Sequence, residues 1–364
     1  MEKKLAIGVD IGGTSIKGGA VTSDGKVLDV FSLPVDKSLN QEQTINALIE
    51  VINKYLKEHN YNKDNVLGIG LGVPGCIDTE NGVVTYSNNL DWYELPISKM
   101  ISEGTGLPVR ITNDANAATL GEAKFGAGKR YKNLLMFTLG TGIGGGIIID
   151  GKLYEGHMGK GAELGHTVIV MDGEPCTCGR RGCFETYASA TALVRETKKM
   201  MEEHKDSKLW DITSKLGKVD ARAAFIADRE GDKYGHILVE NYVRYLSEGL
   251  MNFFNIFRPE AICLSGGVAN EGDYLISRVK KYCEERNYGY KGTPKVEILQ
   301  SEIGYDSGKI GAASLFFEDC FDSSLEIPNV QTLEAFKEVD DLSNDKVKAK
   351  RYKNSSELRE DLDK

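Results

Sequence analysis

A histidine and three cysteines are closely spaced in this sequence: His166, then nine residues, then Cys176-Thr-Cys178-Gly-Arg-Arg-Gly-Cys183. One imidazole and three thiolates complete a tetrahedral zinc set, and Gly179 and Gly182 permit the tight curl that brings the sulfurs together. Four protein ligands leave no open position, so a zinc held this way is structural. The competing reading is three unrelated buried cysteines. His166 has a second ring nitrogen, so a metal on one side would orient the other toward a ligand. Glu163 and Glu185 bracket the cluster, and each is either a hydrogen-bond acceptor for neighbouring hydroxyls or a solvated surface charge.

Glycine turns form the second constellation. Asp10-Ile-Gly12-Gly13-Thr14 and Gly140-Thr141-Gly142 have the composition of phosphate cradles: backbone N–H groups approach an anion without a Cβ in the way, and two threonines add hydroxyl donors. Ser265-Gly266-Gly267 is a third turn of the kind. None is a P-loop, and Gly140 onward sits between strands instead of opening a helix, which argues against a dinucleotide fingerprint. Asp10, beside the first turn, is placed to hold Mg²⁺ through water, or else is a simple turn residue. Asn113-Asp114 directly follows a strand and precedes a helix, the position of an ordinary N-cap. Next to phosphate turns the same carboxylate can receive a hydroxyl proton in line with a γ-phosphate. Asn88-Asn89-Leu-Asp91-Trp92 adds amides and an aromatic that suit sugar hydroxyls, although each alone is equally a turn former.

These groups are carried by an α/β chain. Strands are expected at Leu5 to Val9, Gly18 to Val21, Val27 to Ser32, Val66 to Val73, Val109 to Thr112 and Ala261 to Leu264, with strand-turn-strand hairpins from Leu134 to Leu153. Helices are expected at Ile45 to Lys57, Ala115 to Lys124, Ser189 to Met201, Tyr234 to Phe257 and Ser307 to Phe317. Gly18-Gly19-Ala-Val before Asp24-Gly25-Lys-Val is echoed by Gly144-Gly145-Gly146-Ile before Asp150-Gly151-Lys-Leu. The repetition suggests two related lobes holding an anion between their turns. Chance recurrence of glycine hairpins is the alternative.

Composition bounds the partners. At 364 residues there is chain for about two to three domains. The net charge of −9 repels phosphate backbones and anionic lipid, and no large basic patch offsets it, so neither nucleic acid nor membrane is expected as a partner. The first apolar run is cut by Asp10, too soon for a signal peptide, and no stretch is long enough to span a bilayer. A cytoplasmic protein is expected, and an odd cysteine count of 7 suits that reducing compartment.

Together these residues resemble the ROK family of bacterial sugar kinases and repressors, in particular its glucokinases. The resemblance runs from Lys4 to about Glu318 on Asp10-Ile-Gly-Gly-Thr-Ser-Ile-Lys17, Gly72-Val-Pro-Gly75, Asn88-Asn89-Leu, Asn113-Asp114-Ala-Asn116-Ala, Gly140-Thr-Gly-Ile-Gly144, Glu163-Leu-Gly-His166 and the Cys176 to Glu185 cluster. It implies an actin-like two-lobed ATPase fold, a duplicated ribonuclease H-like architecture with the zinc segment in the second lobe. It also implies ATP with Mg²⁺, a structural Zn²⁺, and phosphorylation of the 6-hydroxyl of an aldohexose, glucose first, for glycolysis. Asp114 falls on the general base. Gly72, Asn113, Glu163, His166, Glu185 and one of Asn88 and Asn89, here taken as Asn89, fall with the sugar contacts. Asp10, Gly12, Gly13, Thr14, Lys17, Gly140, Thr141, Gly142, Gly266 and Gly267 fall with the nucleotide. N-acetylmannosamine, N-acetylglucosamine and fructose remain as other substrates, and a non-catalytic sugar-sensing regulator as another class. Only Met1 to Lys4 precede the first strand, where many family repressors carry a helix-turn-helix. The expected lobes are 1–113 with 304–320, and 114–303, in a homodimer. Residues 321–364 form a charged tail outside the family pattern, with Leu333, Phe336, Val339 and Leu342 at every third position.

Overall fold

A computed structural model describes residues 5–289 and 295–317. The tail, with its expected apolar repeat, lies outside the described residues. The chain opens with a meander, β1 (Leu5–Ile11), β2 (Ser15–Thr22) and β3 (Val27–Pro34). α1 (Gln41–Glu58) returns it to β4 (Val66–Val73), parallel to β1. A capping box starts α1: Gln43 N donates to Asn40 Oδ1 at 2.9 Å, and Asn40 N donates to Gln43 Oε1 at 3.0 Å. Ile45, Leu48, Ile52, Tyr55 and Leu56 then bury one helical stripe. A small antiparallel sheet, β5 (Cys76–Asp78), β6 (Val83–Ser87) and β7 (Trp92–Leu95), and α2 (Ile97–Thr105) precede β8 (Val109–Asn113). The main sheet runs β3-β2-β1-β4-β8. β1 is apolar on both faces because it lies in the middle, whereas β3, at the edge, alternates partly buried with exposed residues.

α3 (Asp114–Phe125) leads into a second sheet with the same plan. β9 (Leu134–Leu139), β10 (Ile143–Ile149) and β11 (Lys152–Tyr154) form the meander. Then come α4 (Glu185–Ala188), α5 (Ala190–Glu203), α6 (Leu209–Leu216), α7 (Arg222–Arg229) and α8 (Lys233–Phe257). β12 (Ala261–Ser265) lies parallel to β9, and α9 (Asp273–Arg286) connects it to β13 (Glu297–Gln300). The order β11-β10-β9-β12-β13 matches the first sheet strand for strand, with the same parallel and antiparallel pairs. The duplication read from two hairpins therefore extends to all five strands. These mixed α/β sheets are consistent with the actin-like two-lobed fold.

The chain closes with α10 (Ser307–Ala313), followed by a 3₁₀ turn at Ser314–Phe316, so the expected closing helix is shorter than read. α10 lies directly on the first sheet and on α3. A Cβ at Gly70 would fall 1.8 Å from the Ala312 carbonyl oxygen, and one at Gly311 would fall 1.7 Å from that of Ala117. Only glycine permits this approach, because backbone and not a flexible side chain stands in the way. Gly311→Ala is expected to cost about 3 kcal/mol of stability, read as a lower denaturant midpoint at unchanged slope. An unchanged midpoint would show that the helices are free to separate.

Several elements carry no assignment from sequence. β5, at three residues, and β7, at four, are too short to show alternation. α2 starts at Pro96 without a side-chain cap, and α9 follows a capping glycine, so neither has the usual start signal. Among the described residues no helix is long and apolar enough to cross a membrane.

Candidate active site

The strand ends and glycine turns converge on two adjoining cavities. The first, about 240 Å³, is lined by Asn89, Asn113, Asp114, Glu163 and His166 among the expected residues. Gly75, Asn116, Gly159, Gly161 and Ala162 also line it, with Pro74, Ala115, Gly144 and Gly145. The second, about 420 Å³, is bounded by Asp10, Gly140, Thr141, Gly142 and Glu185, and by Gly304, Tyr305, Ser307 and Gly308. Asn89 and Asp114 line both. Asp114 is therefore the carboxylate at the junction.

Local structure fixes it there. Asn113, the last residue of β8, is the N-cap of α3: Ala115 N donates to its Oδ1 at 2.8 Å, and its own Nδ2 donates to the Gly75 carbonyl at 3.0 Å. The capping role that sequence offered to either residue falls to Asn113. Asp114 is the first helical residue, and its Oδ1 accepts from Ala115 N at 2.9 Å. Burial pushes the Asp114 carboxyl above its ordinary range, more than the backbone hydrogen bonds at Ala115 and Asp114 pull it down. Asp10 is raised to about 6 by burial and by the Asp114 charge, against Lys17 and Lys309. Glu163 is raised by burial, with His166 opposing and the Asp114 and Glu185 charges adding. Three carboxyl groups held above the usual range across the two adjoining cavities favour bound positive charge and hydroxyl donors.

The glycine turns divide their amides in a way sequence did not show. Gly12 N donates to the Ser15 carbonyl and Gly140 N to that of Gly142, both at 3.0 Å, so these amides close the turns. The N–H groups of Gly13, Thr14, Thr141 and Gly142 have no backbone acceptor among the described residues, and they are the ones left for an anion. Gly12, Gly13, Thr14, Lys17, Gly72, Gly266 and Gly267 line neither cavity. Lys17 sits opposite Asp10 in the β1–β2 register and acts on its charge. Gly72 faces α3, where a Cβ would fall 2.9 Å from that of Ala117, so it sets the depth of the helix. Gly266 packs behind the second turn, with the Leu139 carbonyl oxygen 2.7 Å from where its Cβ would be.

His166, Cys176, Cys178 and Cys183 present ligand atoms that all lie within 4.8 Å of one another. A tetrahedron with Zn–S bonds of ~2.3 Å has sulfur–sulfur edges of about 3.8 Å. Cys178 and Cys183 Sγ are 3.7 Å apart, and Cys176 Sγ lies 3.6 Å from His166 Nδ1. These separations are compatible with a tetrahedral zinc set, so the four residues could hold a metal ion. Glu185 joins this cluster to the glycine turn: its Oε1 is 3.1 Å from Cys176 Sγ and 3.6 Å from His166 Nδ1, while its Oε2 accepts from Ile143 N at 3.3 Å. A Cβ at position 142 would meet that Oε2 at 2.4 Å, so a side chain there would push the Glu185 carboxylate aside.

Sequence reasoning missed the wall from Gly304 to Gly308. Its signal was the glycine spacing at the start of what was read only as a closing helix. It also gave no role to Asn116, buried on α3, although that residue stands in the same motif as Asp114.

With this geometry in place, comparison with known proteins settles the lineage. The ROK family profile matches residues 6–319. The chain belongs to the ROK family. A glucokinase from Halalkalibacterium halodurans is 37% identical over 320 residues, covering 86% of this chain and 96% of that one. A crystal structure of a ROK family glucokinase from Streptomyces griseus, in complex with glucose and AMPPNP, superposes with a TM-score of 0.73 at 34% identity, covering 85% of this chain and 98% of that one. The ROK family's regulators are also related, at lower identity: the xylose repressor of Bacillus subtilis is 30% identical over 320 residues, covering 87% of this chain and 78% of the repressor.

Proposed function

We propose that this ROK chain is an ATP-dependent glucokinase that transfers the γ-phosphoryl group to the 6-hydroxyl of glucose. The observation that carries the reading is Asp114 at the junction of the two cavities, with the glycine-turn amides on one side and a polar pocket on the other. Asn89, Asn113, Glu163 and the free face of His166 bind and orient the sugar hydroxyls, and Glu185 holds His166 and the Gly142 turn in mutual register. Asp114 accepts the proton of the 6-hydroxyl as that oxygen attacks phosphorus. The amides of Thr141 and Gly142 receive the phosphate oxygens, those of Gly13 and Thr14 join them as the two sheets approach, and that approach excludes water that would otherwise hydrolyse ATP.

Asp10 is the group to hold Mg²⁺ through water, and the raised carboxyls around it are relieved by a cation. Mg²⁺, when bound, neutralises charge developing on the transferred phosphoryl group. Zinc on His166, Cys176, Cys178 and Cys183 supplies a fixed frame for the sugar-facing side of the imidazole. We take the lobes as 1–113 with 304–320, and 114–303, and expect a cytoplasmic homodimer on base rates for α/β kinases, which light scattering tests.

A coupled ADP assay over a sugar panel is expected to give its highest kcat/KM with glucose. Preference for N-acetylmannosamine, N-acetylglucosamine or fructose keeps the kinase and rejects glucose. Absence of turnover on every sugar would assign the chain to the regulators.

A further inference from the structure

Glu122 lies two turns beyond Asp114 on α3, and the mechanism above does not use it. It is 0% exposed. A buried carboxylate is expensive unless its lone pairs are occupied, and here five donors converge on it. Oε1 accepts from Ser301 Oγ at 2.5 Å, Ile303 N at 2.9 Å and Gly304 N at 3.3 Å. Oε2 accepts from Ala127 N and Glu302 N, both at 3.1 Å. All but Ala127 belong to one segment, 301–304, distant in sequence. That segment follows β13 and runs directly into Gly304, Tyr305, Ser307 and Gly308, the wall of the phosphate cavity opposite Thr141 and Gly142.

We propose that Glu122 is a positioning residue for the nucleotide. Its side chain ties the backbone of 301–304 to the helix whose first residue is the base, so the phosphate wall and Asp114 keep a fixed separation. The arrangement suits in-line transfer, where a displacement of about 1 Å costs on the order of 100-fold in rate. An apolar residue could fill the same space, but Glu302 N and Ile303 N would lose the acceptor they have here, and Gly304 N would keep only Ser301 Oγ. The proposal rests on the kinase reading of the site.

Glu122→Gln tests it, because the amide keeps the volume but turns one acceptor oxygen into a donor that faces other donors. The expected result is a KM for ATP raised ~10-fold or more with the KM for glucose within ~2-fold, and an acid limb of the pH profile at its wild-type position. A lowered melting temperature with both Michaelis constants unchanged would make Glu122 a structural plug and overturn the proposal. Should that variant fail to fold, Ser301→Ala removes the hydroxyl that donates to Glu122 and accepts from Gly304 N at 3.0 Å, without burying a new polar group. It is expected to raise the KM for ATP ~2- to 5-fold and leave that for glucose alone; an unchanged KM for ATP would again overturn the proposal. If the wild-type protein phosphorylates no sugar, the kinase reading fails instead. Calorimetric ATP affinity of Glu122→Gln against wild type then still decides whether Glu122 sets the nucleotide site, weaker binding supporting it and equal binding overturning it.

Discussion

Asp114→Asn should bind sugar and ATP with near-normal Michaelis constants and lose about three decades of kcat, a barrier increase of about 4 kcal/mol. The amide keeps the shape and the contact with Ala115 N but cannot take a proton. Two further results follow from the burial that raises this carboxyl. The base must be ionised to work, so the acid limb of the wild-type kcat/KM profile should lie above the ordinary carboxylate value of about 4. In the folded state the proton is held more tightly than in the unfolded chain. Stability therefore falls as pH rises from about 4 through the raised native value, and the penalty is complete above it. Asp114→Asn, free of that penalty, should melt higher than wild type at neutral pH, and the difference should vanish below about pH 4. Near-normal turnover in the variant, or an acid limb at or below the ordinary value, would reduce Asp114 to a helix residue at the floor of a cavity.

Cys178→Ser is expected to release about one zinc per chain and to raise the KM for glucose at least ~10-fold while the KM for ATP changes little. Cys178 is the exposed member of the four, so the substitution opens no cavity. Its effect must travel through the metal to His166, which lines the sugar cavity. Added Mg²⁺ should not rescue the variant, because a hard oxygen-seeking cation does not replace zinc among thiolates. Full metal content with an unchanged KM for glucose would show that the cysteines pack and do not ligate.

What was legible in the sequence was whatever short-range pattern encodes. The glycine hairpins exposed a duplication that proved to span five strands in each sheet, because turn chemistry and strand register are local. The His166 and cysteine spacing and the Asn113-Asp114 strand end were readable for the same reason. The capping role could not be divided between Asn113 and Asp114 without the fold, since both types cap and only the path of β8 decides. Gly72 and Gly12 were read as contacts from the motifs they stand in; that one also seats α3 and the other closes a turn is visible only in the fold. The Gly304 to Gly308 wall and its anchor Glu122 stayed hidden because their partners are remote in sequence, and nothing near Glu122 announces that Ser301 to Gly304 will fold over it.

The central claim, that Asp114 delivers the 6-hydroxyl of glucose to a phosphate held on the glycine turns, is tested most directly by the position of the transferred group. Proton-coupled phosphorus NMR of the product formed from glucose and ATP should show a phosphate monoester coupled to the two protons on C6. Phosphate attached at any other carbon, or release of inorganic phosphate alone, would contradict the account.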